Sequence, residues 1–158
     1  MGSGVLSKAD MEQLIRRYYD GCNEGDANKI AACFTPDAAH YFPPGMPQGP
    51  FRGAAKIAER WCHAVQRFGA WWTIDSLLVD PVKGEGVLEW SNFTSKPNAV
   101  VRGTEWIAFD RDSGLIREIR AYYPAAIPAG LTRFELEGFD YAGRGYPMVS
   151  PRPGSATD

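Results

Sequence analysis

Several features that would assign a function quickly are scarce or missing in this sequence. The chain has three cysteines in 158 residues, Cys22, Cys33 and Cys62, none of them in CxxC spacing. An odd count of isolated thiols argues against a disulfide framework and against a structural zinc site, and it fits a reducing cytoplasm. The two histidines, His40 and His63, form neither HxH nor HExxH, so no metal ligand set is expected. Neither GxGxxG nor GxxxxGK[ST] occurs, and a GxSxG elbow is missing too, so no dinucleotide, nucleotide or acyl-enzyme chemistry is expected. No apolar run reaches the roughly 18 residues a membrane span needs. The opening MGSGVLSKAD lacks a basic-then-apolar leader pattern, and Leu6 stands where a myristoylation motif needs Ser or Thr. No Lys/Arg run exceeds two residues, the formal charge is -2 and the pI is about 5.7, so neither nucleic acid nor an anionic membrane is an expected partner. A cytoplasmic protein with a small-molecule partner and no cofactor is expected.

Length allows one domain. A chain of this size buries roughly 70% of its unfolded surface, enough for one core and one pocket. Met11, Leu14, Ile15, Tyr18, Tyr19 and Cys22 follow helical spacing, with Ser7 as N-cap and Gly25 as stop. Asp26 caps a short second helix, ANKIAACF, expected to end before Thr35-Pro36. A strand DAAHYF follows, then the loop PPGMPQGPFRG, whose prolines fix φ and remove donors. The stretch AAKIAERWCHAVQRFG predicts a third helix ending at Gly69. From Trp71 the period becomes that of strands: WWTIDSLLVDP, GEGVLEWSNFTS, AVVRGTEWIAFDRD and LIREIRAYYP, separated by turn clusters. Helices segregated before a curled antiparallel sheet predict an α+β cone, with three N-terminal helices on the concave face. Residues 1–124 form that domain. The aromatic extension 125–158 is expected to cover the pocket mouth or a subunit interface.

The runs YYDGCNEGDANKIAACFTPDAAHYFPPG, FRGAAKIAERW and RGTEWIAFDRDSGLIREIRAYYP resemble the nuclear transport factor 2-like superfamily, in particular its SnoaL-like and ketosteroid isomerase-like enzymes. The likeness covers about residues 7 to 124. It implies that Tyr18 matches the oxyanion-hole tyrosine of the isomerases and Glu105 their protonated oxyanion-hole aspartate. Trp61 matches a supporting tyrosine and Tyr123 a pocket aromatic. The isomerase's general-base aspartate falls at Phe42, so that base is lost. The arginine and two aspartates of limonene epoxide hydrolase fall at Trp90, Asn92 and Ala121, so that triad is absent as well. The acid of the sugar-like polyketide cyclase route also falls near Ala121.

Candidate residues follow from parity and chemistry, with the inward positions those that the resemblance implies. His40 shares strand parity with Ala38 and Phe42 and titrates near neutral pH, which makes it the replacement base; the alternative is a core histidine. Glu105 shares its face with Ile107 and Phe109, and such burial favours a protonated acid; the alternative is a salt bridge to Arg102, Arg117 or Arg120. Tyr18 is the second donor, with Tyr19 beside it as the alternative inward phenol. Asn92 either orients a substrate hydroxyl or is a plain surface amide, and Asp75 either orients a histidine or faces solvent. Phe42, Trp61, Trp90, Ile107, Ile119, Ala121 and Tyr123 are the expected walls for an aromatic or polycyclic substrate. Together these residues predict a cofactor-independent lyase or isomerase performing dehydration or retro-aldol-type cleavage. A polyketide-cyclase-like isomerase and a non-catalytic ligand-binding module are the alternatives. An outward strip of Trp106, Ala108, Arg120 and Tyr122 predicts a homodimer through the sheet.

Overall fold

The computed structural model describes residues 6–46 and 49–151; residues 1–5, Pro47 and Gln48 of the proline-rich loop, and the tail end 152–158 lie outside the described residues. Helix α1 (Lys8–Glu24) starts where expected, because the Ser7 hydroxyl accepts the Asp10 backbone N–H. It stops at Gly25, whose φ of 66° lets the amide turn back to Cys22 and Gly21 carbonyls. Asp26 caps α2 (Ala27–Ala31) by accepting from the Lys29 amide.

The second helix is shorter than its sequence suggests. Tight bonds from Ala32 to Asn28 and from Cys33 to Ile30 close it, and the Ile116 amide then reaches the Cys33 carbonyl, so the chain enters the sheet at once. Strand β1 (Phe34–Tyr41) therefore contains Thr35 and Pro36 instead of starting after them. Its register with β6 shifts between Phe34 and Ala39, the stretch in which Pro36 has no amide to donate. The two-residue β2 (Phe51–Arg52) closes the loop, and α3 (Ala54–Phe68) runs to Gly69 as expected.

Strands β3 (Trp71–Asp80), β4 (Glu85–Ser95), β5 (Asn98–Phe109) and β6 (Ile116–Tyr122) form the antiparallel meander, and the six strands lie in the order β2-β1-β6-β5-β4-β3. The expectation of a wholly antiparallel sheet needs one correction, since β1 pairs parallel to β6. Long intervening chain makes that crossover possible where a hairpin could not.

The helices cover the inner face. Met11 and Ile15 of α1 and Ile57 of α3 pack with Leu88, Ile107, Ile116 and Ile119 of the sheet. Asn23 ties α1 to the outermost strand: its amide accepts the Trp72 N–H at 2.7 Å and donates to the Trp72 carbonyl at 2.9 Å. The tail packs on the outer side of the sheet. Leu136 and Phe139 pack on Ala39 and Tyr41, and Arg144 clasps Glu118, so this part covers the outer face of β1 and β6 and not the cavity. Nearer the sheet end, the carbonyl of Ala126 runs close beside Gly45.

Candidate functional site

A cavity of about 190 Å³ lies between the helices and the inner sheet face. Its position follows from strand alternation. Glu105 and Ile107 point inward from β5, and the ladder sets Glu105 between Leu88 of β4 and Ala121 of β6. Tyr18, Tyr19 and Cys22 approach from α1, and Arg60, Trp61, Ala64 and Phe68 from α3. Trp72, Trp90, Asn92, Val101 and Tyr123 line the strand side. Gly103 faces Trp90 in the ladder, where a Cβ would come within 2.6 Å of the indole, so the ring lies flat only because that position is bare.

Glu105 is 5% exposed and held from two sides. The Tyr19 hydroxyl donates to Oε2 at 3.0 Å, and Nε2 of the fully buried His40 sits 3.4 Å from Oε1. His40 stacks on Phe42 with ring centres 4.2 Å apart and leans on Trp61. Burial, and then the neighbouring Glu105, push the Tyr19 phenol well above its ordinary range, so it stays a donor. Burial does the same to Tyr18, whose hydroxyl meets the Cys22 thiol one helical turn on. The Cys22 thiol is itself pushed up by burial, which keeps it from being a thiolate nucleophile. Tyr123 is pushed up to about 12, mainly by burial, with Arg60 pulling down and Glu105 pushing up. Several buried N–H groups around the cavity have no protein acceptor: Nε1 of Trp61 and Trp90, Nδ2 of Asn92 and Nε of Arg60. Among the described residues no group of three or more His, Cys, Asp or Glu side chains is placed to hold a metal ion.

The family model for the SnoaL-like domain matches residues 15–119. The chain belongs to the SnoaL-like domain family. A protein of unknown function with a cystatin-like fold from Methylobium petroleophilum PM1 is 55% identical, with a TM-score of 0.89 over 94% of this chain and 97% of that one. SalBIII, an epoxide hydrolase/cyclase-like enzyme in pyran ring formation of the polyether salinomycin, matches at 15% identity and a TM-score of 0.65 over 75% of this chain and 94% of its own. A putative polyketide cyclase from Xanthomonas campestris pv. campestris matches at 19% identity and a TM-score of 0.60, over 74% and 92%. The last two show the shared fold. No curated protein matches the sequence.

Within this SnoaL-like cone the expected residues divide clearly. Tyr18, Glu105, Asn92, Phe42, Trp61, Trp90, Ala121 and Tyr123 line the cavity. Four do not. His40 lies behind Glu105, Ile107 and Ile119 are wholly enclosed in the core, and Asp75 is exposed on the outer face. Asp75 falls at the β3 bulge, bonded to Thr73 and Ser91, and these bonds lower its carboxyl's affinity for a proton. The bulge explains the sequence's ambiguity, because one extra residue breaks the parity count.

Tyr18 and Glu105 reach the same cavity as expected, but the phenol bonded to Glu105 is that of Tyr19. Both phenols are buried, since α1 is covered on two adjoining sides, and Tyr18 instead packs edge-on against Phe34. Arg60 and Trp72 escaped sequence reasoning. Arg60 stands three residues after Ile57 and four before Ala64 on the buried stripe of α3, which is the signal that would have found it.

Proposed function

We propose that the cavity is the active site of a cofactor-independent acid/base enzyme, a lyase or isomerase acting on a small hydroxylated, ring-bearing metabolite. The supporting observation is Glu105: among the described residues it is the one Asp, Glu or His side chain lining a cavity walled mostly by aromatic and aliphatic groups. One carboxyl restricts the chemistry, because the group that removes a proton must also return it. Glu105 takes the proton α to a carbonyl and the electron pair moves onto the carbonyl oxygen. The proton then goes to a carbon two atoms away, giving an isomer, or to a β-hydroxyl that leaves as water when its C–O bond breaks. In retro-aldol cleavage Glu105 takes the β-hydroxyl proton, the β-carbon becomes a carbonyl as the Cα–Cβ bond breaks, and the same proton returns to the α-carbon.

Tyr19 acts from behind as a positioning residue, holding one carboxyl oxygen by a hydrogen bond, while the His40 ring packs 3.4 Å from the other without bonding it. The general base is thus Glu105, in place of His40. The unpaired N–H groups of Trp90 and Asn92 are suited to the carbonyl oxygen as it gains charge. Trp61, Trp90 and Tyr123 clamp the ring. An apolar cavity of roughly 150 Å³ accommodates benzene, so about 190 Å³ admits one substituted ring and not a polycycle.

A ring-closing isomerase of the polyketide-cyclase kind is the second reading, favoured by the fold likeness to SalBIII and the putative cyclase. A panel of monocyclic hydroxy ketones and phenolic diols, screened by thermal shift and then by product NMR, separates these readings. Turnover that vanishes in Glu105→Gln supports the proposal. Turnover unchanged in that folded variant places the base elsewhere, and binding without any product makes the cone a binding module.

We also propose a cytoplasmic homodimer formed through the outer sheet face. Trp71, Phe93 and Val100 stand in one cross-strand row, and Trp106 and Tyr122 are exposed beside the tail. No helix of the described residues is long and apolar enough to cross a membrane. Light scattering at micromolar concentration tests the dimer, and a monomeric mass counts against it.

A further inference from the structure

The cavity contains a cation that the proton-transfer chemistry does not use. Arg60 projects from the part-buried side of α3 and borders both the cavity and the surface groove beside Phe51 and Arg52. Its guanidinium lies 5.9 Å from the Phe51 ring centre, and one terminal nitrogen touches the Met46 sulfur at 3.7 Å. Its Nε is buried with no protein acceptor. Among the described residues it forms no ion pair, and the one cavity-side acid, Glu105, accepts from Tyr19 and faces His40 instead.

That is an unusual state for arginine in such a place. A buried polar group left without a partner is destabilising, and the few that persist call for a reason. Packing alone supplies little here, since thioether sulfur is a weak acceptor and the aromatic contact is distant. A guanidinium presents a planar fork of donors matched to a carboxylate, and it is the side chain suited to hold an anion at an apolar wall. The indoles of Trp61 and Trp90 and the amide of Asn92, which line the same cavity, add donors with no acceptor of their own. An anionic, oxygen-bearing ligand supplies acceptors.

Resting on the assignment of this cavity as the active site, we infer that its substrate is an organic acid: a single ring carrying a carboxylate, held by Arg60 at the rim while Glu105 works at the far end. The Tyr123 phenol lines the same cavity, within electrostatic reach of both residues. Opposite charges at the two ends orient the ring, because the reversed pose would bring two carboxylates together. Binding energy gathered at Arg60, remote from the reacting carbon, is available to fix that carbon against Glu105.

Calorimetric titration of the whole protein with benzoate and phenylacetate, against their neutral amides benzamide and phenylacetamide, tests this. The acids should bind at least ten times more tightly than the amides. Arg60→Met should remove that preference while leaving the melting temperature within a few degrees, and Arg60→Lys should restore part of it. Equal affinity for acids and amides, no measurable binding of either acid at millimolar concentration, or a preference that survives Arg60→Met overturns the inference. The two readings fail separately. Loss of turnover in Glu105→Gln together with indifference to Arg60 keeps the acid/base proposal and removes this one. An Arg60-dependent preference with full turnover in Glu105→Gln does the reverse.

Discussion

Glu105 and Glu118 are buried to nearly the same degree, 5% and 6% exposed, on opposite faces of neighbouring strands, yet their surroundings have little in common. Glu118 faces outward and is gripped by Arg144 through two bonds of 2.9 and 2.6 Å, with Arg120 at 3.5 Å. Glu105 faces inward to a phenol, an imidazole and an open space. A carboxylate between two guanidinium groups is neutralised and fixed, so its burial serves the fold. A carboxyl held by a hydrogen bond and facing a cavity retains freedom to exchange a proton. What distinguishes a structural acid from a chemical one here is its company, since depth of burial is the same.

The sharpest way to break this comparison is to neutralise each glutamate in turn. Glu105→Gln is expected to lower turnover by roughly 100-fold to 10,000-fold, the range for a positioned general base, with the fold intact by circular dichroism. Glu118→Ala should leave turnover per folded molecule unchanged and cost about 3 kcal/mol in urea unfolding, because it strands Arg120 and Arg144. If the two variants exchange phenotypes, the assignment of roles is inverted.

Smaller effects sharpen the contrast on the inner side. Tyr19→Phe removes one bond to Glu105 and should lower kcat about tenfold with KM nearly unchanged, whereas Tyr18→Phe should do less. Gly103→Ala crowds Trp90 and the Tyr122 carbonyl; it should cost about 1–3 kcal/mol and weaken ligand binding, read by melting temperature and calorimetry. The smallest effect is alkaline. Tyr123 keeps its proton in the folded state up to about pH 12, while the unfolded chain releases it near the ordinary value of about 10. Its contribution is therefore intact below about pH 10 and declines between there and pH 12, as ionisation favours the unfolded state. Tyr123→Phe should flatten the fall of melting temperature across that window.

The regular part of the fold was legible in the sequence. Ser7, Gly25, Asp26 and Gly69 bound their helices where local chemistry placed them, and the four meander strands match their period-2 runs closely. Glu105, Trp90 and Asn92 were found by the family resemblance together with parity, which holds because no bulge interrupts their strands on the cavity side. Parity failed at Asp75, where the bulge adds a residue. It was insufficient at His40, since an inward side chain on β1 can be covered by its own neighbours Phe42 and Trp61 before reaching the cavity. Ile107 and Ile119 point inward too, but into the packed core below the open space. The choice between Tyr18 and Tyr19 depends on the roll of α1, fixed by Asn23 and Trp72 at long range and invisible to local spacing.

That link between Asn23 and Trp72 also bears on how copies of the chain can meet. A side-chain amide carries the same donor and acceptor pair as a peptide group, so Asn23 stands in for a seventh strand at the β3 margin, satisfying groups that would otherwise recruit one. The other margin ends in the two-residue β2, too short to template a partner, and the bulge at Asp75 bends β3 out of line with any straight newcomer. With both margins blunted, lateral growth into an extended sheet is disfavoured.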